Sequence, residues 1–495
     1  MLKFFIGILL VLWVKDGITQ IPTFDFFLNS GVSESMSYAF EYPNDNYYFC
    51  GNRKIDSTSW EYGVMIFRSD QFGDTTMHFY CLQDTSITIS FLISTVNNII
   101  GFGIYETEGK VINEGLINLI FDFDLNLISK KVFPFPSEYE SAWSSVDDIL
   151  VDQGGNFISI FTLKEFESKQ LTDGGDICFY KFNMDGDTIS TKLLKLESSQ
   201  SVDAACFNAD TTEIWVFGDG FTMSPKQWVK FDLSYNLISI DDFHYDAGYP
   251  FSVIKESSES WLGCGKFFNT TNRSDFDLWT FRMDSSGYIL NDTILGTIDT
   301  NEYTSFGRAV ARDIDGNIYI SGTHNVTVGF FPNVKSWISL TKLDSQFNHE
   351  FTRYYNPDDK YYLNFDIKAC SDGGILLCNL RYDSDDNTTP PLNFDAWVLK
   401  VDNNGLMTGI NDGSDFEIQN VLIFPNPGNS NINIVSPWTN STLNLYTRNG
   451  ILILSKELHQ INTIVNTANL ASGVYFWTVY QNNNKLIESG KWIKN

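Results

Sequence analysis

The sequence predicts an all-β protein, a seven-bladed β-propeller followed by a small Ig-like β-sandwich, and three observations carry that prediction. A short apolar run, a residue that is basic in six of seven copies (Ile120 in the other), one more residue and an acid or amide recur together seven times between Phe67 and Asp402. No segment sustains the 3.6-residue hydrophobic period of a helix, while turn residues punctuate short apolar runs throughout. The chain then changes character at Val421, after a Gly-, Asp- and Asn-rich linker over 408–420.

At the N-terminus, Lys3 precedes the apolar run Phe4 to Val14, which gives way to Lys15, Asp16 and Gly17. That order of positive end, apolar middle and polar exit is the pattern of a secretory signal peptide, and the run is short for a bilayer span. Residues 1–20 are therefore expected to be a leader, with no transmembrane segment left once it is removed. The chain of 495 residues carries 33 Lys and Arg against 61 Asp and Glu, a net charge of −28. A phosphate backbone would be repelled by that field, so nucleic acid is not expected as a partner. Seven cysteines, an odd number without CxxC spacing, occur at 50, 81, 178, 206, 264, 370 and 378. Cys50, Cys264 and Cys378 end strand-like runs at the same place in their repeats and read as small buried apolar residues; Cys370 and Cys378 form the one local pair.

The propeller is expected over 21–407. Its motif copies are Phe67-Arg68-Ser69-Asp70, Leu119-Ile120-Phe121-Asp122, Tyr180-Lys181-Phe182-Asn183, Val229-Lys230-Phe231-Asp232, Phe281-Arg282-Met283-Asp284, Thr341-Lys342-Leu343-Asp344 and Leu399-Lys400-Val401-Asp402. Their mean spacing of roughly 55 residues suits the blades of a propeller. Before each copy stands a polar turn and an apolar strand often ending in Gly, as in Asp315-Gly316-Asn317-Ile318-Tyr319-Ile320-Ser321-Gly322; after it come another turn and a more polar strand. Each unit thus reads as turn, strand, loop, strand, turn, strand. Basic residue and acid, two apart on a strand, share one face and could form a repeated ion pair or a ring around the channel. Trp228, Trp279, Trp337 and Trp397 read as blade packing. The last unit lacks outer strands, and Pro22 to Leu28 has no unit of its own, so that segment is expected to complete the final blade and remove its open edge.

Beyond the linker, residues 421–495 show the ordered blocks Phe424-Pro425-Asn426-Pro427-Gly428, Ile432-Asn433-Ile434, Leu443-Asn444-Leu445-Tyr446 with Asn449-Gly450, Leu470, Ser472-Gly473-Val474-Tyr475-Phe476 and Lys491-Trp492-Ile493-Lys494. The prolines bar a central strand around Asn426, and the alternating runs after it read as short strands. This set resembles the type A C-terminal sorting domain of type IX secretion substrates, found in the Bacteroidetes group of bacteria. The resemblance implies passage through the type IX translocon and a secreted or outer-surface location. It also implies sorting-signal roles for Pro425, Asn426, Pro427, Gly450, Gly473, Val474, Tyr475, Lys491 and Lys494. Phe424, where the family more often has Tyr, and Trp492, where it has a smaller residue, depart from the pattern.

Chemistry is harder to read. The five histidines show no HExxH or paired spacing, and no nucleophile elbow, P-loop or dinucleotide fingerprint occurs. Catalytic residues are accordingly left unassigned. Asn183 to Asp187 and Asp313 to Asn317 look superficially like calcium loops but coincide with turns that every repeat needs; Asp383, Asp385 and Asp386, in an insertion, are the one candidate Ca2+ site. The leading expectation is a surface or secreted binding or adhesion module for a glycan or protein. A glycan-active hydrolase with carboxylates in the propeller funnel and a structural part of a surface or motility apparatus are the alternatives.

Overall fold

The structure, a computed structural model, describes residues 21–494 except 29, 43–45, 57–58, 108–113, 142–146, 166–174, 196–200, 219–226, 243–247, 269–275, 297–299, 327–334, 383–393, 408–421, 425–430, 437–439, 460–461 and 482–485. It divides into two compact units, Met1–Tyr355 with Asp359–Gly409, and Asn356–Asp358 with Ile410–Asn495. Every named element is a strand.

The larger unit is propeller-type in architecture. Its described residues form seven antiparallel sheets of four or five strands, taken here as the first to seventh in chain order: residues 34–80, 85–134, 139–194, 204–242, 248–295, 302–355 and 361–401. The seventh takes its outermost strand from the other end of the chain, Phe24–Leu28 lying antiparallel to Phe394–Val401 with Phe26 opposite Val398. Each sheet buries both faces on its neighbours, which is why the middle strands are almost continuously apolar. Ile66 packs with Ile89 and Leu119 between the first and second sheets. Phe102 meets Phe157 at 5.5 Å, Phe179 meets Phe231 at 5.1 Å and Trp215 meets Trp261 at 4.6 Å across the next three seams. Leu262 and Leu278 face Ile318 and Ile320 at the fifth. The Ser321 hydroxyl donates to Asn364 Oδ1 at 2.6 Å at the sixth, and Val398 and Cys378 close onto Met36 and Phe49 at the last.

The acid or amide that ends each motif has a local task. Asp70, Asp122, Asn183, Asp232, Asp284, Asp344 and Asp402 each accept two backbone N–H groups, from residues two and four further on, at 2.8–3.0 Å. A short polar side chain that satisfies the turn in this way fixes the hairpin between third and fourth strands. Among the described residues the pair of basic residue and acid within one motif, one of the two arrangements open to it, therefore does not form. The basic residues reach other carboxylates: Arg68 to Asp124 at 3.2 Å, Lys181 to Asp152 at 2.7 Å, Arg282 to Glu256 at 2.6 Å, Lys342 to Glu350 at 2.9 Å and Lys400 to Asp372 at 2.5 Å. Trp228, Trp279 and Trp397 are buried, and Trp337 is half-buried. All seven cysteines are free; Cys81 is exposed and the other six are buried, where burial pushes their thiols up.

One strand per unit is more than the sequence pattern showed. Each sheet opens with a strand that lies beside the first strand of most neighbouring sheets and so surrounds the ring's axis. Its pattern is broken at one height. Ser37, Ser90, Phe251 and Phe365 are passed over at register shifts between Met36 and Tyr38, Ile89 and Phe91, Pro250 and Ser252, and Asn364 and Asp366. The third and sixth sheets split the strand there, into Tyr139–Ser141 with Asp148–Val151 and Glu302–Thr304 with Val310–Arg312. A bulge re-aims side chains, here toward the axis.

The smaller unit has two sheets around one core. Leu422–Phe424, Asn431–Val435 and Asn462–Asn466 form one; Leu452–Leu458, Ser441–Thr447, Gly473–Gln481 and Leu486–Lys494, in that order, form the other. Ile432 and Ile434 of the first meet Leu443, Leu445, Trp477 and Trp492 of the second.

Candidate functional site

The broken height of the first strands places a set of unlike residues side by side around the axis: Ser37, Ser90, Asp147, Asp203, Phe251, Arg308 and Phe365, with Tyr38, Phe91, Asp148, Ser252 and Asp366 one step along. The strands are tied at this level by side chains that take a backbone N–H of the next sheet. Asn52 Oδ1 accepts from Ile89 at 2.8 Å, Thr162 Oγ1 from Val202 at 3.0 Å, Asp148 Oδ2 from Ala205 at 2.7 Å, Ser252 Oγ from Ala309 at 3.2 Å, Thr323 Oγ1 from Asn364 at 3.0 Å and Asp366 Oδ2 from Ala39 at 3.0 Å.

Arg308 joins three sheets. Its Nε and Nη2 donate to the two oxygens of Asp366 at 2.7 and 2.6 Å, Nη2 also donates to the carbonyl of Ala39 at 2.6 Å, and the guanidinium lies 4.0 Å from the Tyr38 ring centroid. Such a bidentate pair fixes both partners in orientation as well as in charge. Asp366 is 1% exposed.

On the third and fourth sheets the axis is acidic. Burial pushes the Asp148 carboxyl up to about 6, against the hydrogen bond from Ala205 and the charge of Arg308. Burial also pushes the Asp147 carboxyl well up, with the charges of Asp203 and Asp148 adding to the effect, while Thr162 donates to it through N at 3.0 Å and Oγ1 at 3.2 Å.

On the fifth to seventh sheets the axis is aromatic. Ring centroids run from Phe251 to Tyr303 at 6.1 Å, Tyr303 to Phe306 at 5.3 Å and Phe306 to Phe365 at 5.2 Å, with Phe276 6.1 Å from Tyr303. Phe306 is 43% exposed. The Lys266 ammonium lies 4.7 Å from the Phe276 centroid and 4.8 Å from that of Tyr303. An open aromatic strip facing carboxylates offers an apolar face for stacking and acceptors for hydroxyl or amino groups.

None of these axial residues stood out in the sequence. The signal that could have found two of them is the run Ser-Val-Asp, present at both 145–147 and 201–203.

Of the residues expected to carry the sorting signal, Pro425, Asn426 and Pro427 lie outside the described residues, as do the calcium candidates Asp383, Asp385 and Asp386. The structure brings the remaining blocks together. Gly473 pairs with Lys494, Val474 with Ile493 and Tyr475 with Trp492, so the Gly-Val-Tyr and Lys-Trp-Ile-Lys blocks are adjacent strands. Tyr475 donates to the carbonyl of Ala471 at 2.7 Å and its ring lies 5.6 Å from that of Trp492. Trp492 is fully buried and Lys491 is exposed; Gly450 closes a turn at φ +77°. Among the described residues no group of three or more His, Cys, Asp or Glu side chains is disposed to hold a metal ion, and no helix is long and apolar enough to cross a membrane.

Residues 422–495 match the family described as the secretion system C-terminal sorting domain. The chain matches no curated protein. Among solved structures it is similar, at 6% identity and TM-score 0.42 over 92% of its length, to one from a structural and mechanistic analysis of two prolyl endopeptidases; it spans 55% of that chain. It is also similar to the β-propeller domain of the trilobed protease from Pyrococcus furiosus, described as having an open velcro topology, at 10% identity and TM-score 0.37, covering 77% of this chain and 99% of that one. A structure described as the eukaryotic initiation factor is similar at 11% identity and TM-score 0.31, covering 65% of this chain and 88% of that one.

Proposed function

We propose that this protein, which ends in a type IX secretion sorting domain and is destined for the medium or the cell surface, is a glycan-binding module whose site is the axial mouth of a seven-bladed β-propeller carried ahead of an Ig-like sandwich. The observation that supports the site is the contiguous strip Phe251, Tyr303, Phe306 and Phe365 with Asp147, Asp148 and Asp203 on the neighbouring sheets. The strip breaks the sevenfold repeat, as a binding surface does and a scaffold element does not. The ligand this lining fits is a neutral or amino-bearing polysaccharide, since a net charge of −28 opposes a polyanion.

A polysaccharide array probed with the full mature chain tests this. Binding that falls at least tenfold in Phe306→Ala, with the melting temperature unchanged, is the expected result; equal binding by both proteins removes the axial strip as the site.

A second reading, a glycan-active hydrolase, is favoured by the raised carboxyls of Asp147 and Asp148, since a protonated carboxyl near neutral pH is what a general acid requires. New reducing ends released from a bound polysaccharide, and lost in Asp148→Asn, would move the assignment from binding to hydrolysis.

A further inference from the structure

The third strands repeat the same two inward positions in every sheet, facing the sheet before. At the first of these the described side chains are Met65, Ile117, Cys178, Trp279 and Trp397, and at the second Phe67, Leu119, Tyr180, Val229, Phe281 and Leu399. The sixth sheet alone has hydroxyls at both, Ser339 and Thr341. The seam against the fifth sheet is consequently not filled there, and a cavity of about 210 Å³ remains.

Its polar wall comes from the sixth sheet. Thr341 Oγ1 and Thr352 Oγ1 are 2.9 Å apart, and His349 Nε2 lies 2.9 Å from the same Thr352 hydroxyl. Glu302 lines the cavity, its Oε1 lying 2.7 Å from His324 Nδ1, and Tyr354 stands with its ring 4.7 Å from that of His324. Leu278, Ile294 and Leu295 of the fifth sheet form the apolar wall. Among the described residues the Ser339 hydroxyl, 3% exposed, has no hydrogen-bond partner. A buried hydroxyl left unpaired costs stability, and one that lines a cavity is satisfied when something polar enters.

We infer that this seam is a second binding site, separate from the axis, for a single uncharged sugar ring. The lining argues for that class. Hydroxyls, an imidazole and a carboxylate serve a polyol, one apolar wall suits the C–H face of a pyranose, and the volume suits one ring rather than a chain. Among the described residues no Lys or Arg lines it, and Glu302 disfavours an anion.

The test is saturation-transfer NMR and calorimetry on the full mature chain with D-glucose, D-galactose, D-mannose and N-acetyl-D-glucosamine as probes. At least one is expected to bind, with at least tenfold loss in Ser339→Val and in Thr352→Val and no change in Phe306→Ala. Thr352→Val, in the outermost strand, gives the reading if Ser339→Val fails to fold. Binding of no probe, binding untouched by both seam variants, or loss only in Phe306→Ala would each overturn the inference. The last outcome leaves the axial reading standing, so the two proposals fail separately.

Discussion

Asp148 and Asp366 occupy the same place in their repeats and perform the same act, accepting the N–H of an alanine in the next sheet, yet Asp366 is held in a bidentate pair with the Arg308 guanidinium, whereas that charge reaches Asp148 only at a distance. Two predictions follow from that difference. Arg308→Met leaves Asp366 buried without its counter-charge and should cost about 3–5 kcal/mol in urea unfolding. Asp148 behaves oppositely with pH. Its folded pKa of about 6 lies above the value of about 4 for a free aspartate, so the folded protein binds this proton more tightly than the unfolded chain. The penalty is absent below about pH 4 and grows as pH rises through about 6. Asp148→Asn should therefore be more stable than the parent by about 1–2 kcal/mol at pH 7.5, with the difference gone at pH 4, as read from unfolding curves at the two pH values. Neither residue was legible in the sequence, because each is brought to the axis by a bulge or strand break that erases the alternation a strand would otherwise show.

The hairpin turns are the elements the sequence announced most clearly, and they also show how a motif can be seen and its reason misjudged. The acid of each copy serves the backbone of its own turn, so a basic residue two places earlier is left to reach a different carboxylate, as Lys342 reaches Glu350 in the next strand. Asp344→Ala removes two such bonds at an exposed site and should lower stability by about 1 kcal/mol, measurable as a shift of the urea midpoint. Where three of these turns lack glycine at the left-handed position, Leu125, Tyr235 and Phe347 take positive φ and turn a buried side chain onto the neighbouring sheet, as when Tyr235 stacks on Phe179 at 4.7 Å. That burial offsets the backbone strain, and a composition-based search for Gly or Asn cannot see it. The polar seam at Ser339 was equally hidden, since two hydroxyls in a strand look unremarkable until the six other copies are laid beside them.

At the scale of the whole molecule, destination was more legible than chemistry. A sorting domain is recognised by machinery outside the protein and so keeps a readable order of blocks, whereas a site assembled from seven sheets leaves no local spacing. A chain truncated before residue 422 should accumulate inside the cell envelope instead of reaching the surface, which fractionation with an antibody to the propeller-type unit would show; normal surface display of the truncated chain would remove the sorting assignment. Deleting Phe24–Leu28 should strip the outer edge of the seventh sheet and broaden thermal unfolding, while an unchanged melting curve would deny that strand a part in stability. The pairing of that strand carries a further consequence for biogenesis. Its two strands are separated by almost the entire length of the larger unit, so the clasp closes only once residues 394–401 are present, and until then the final sheet keeps an open edge.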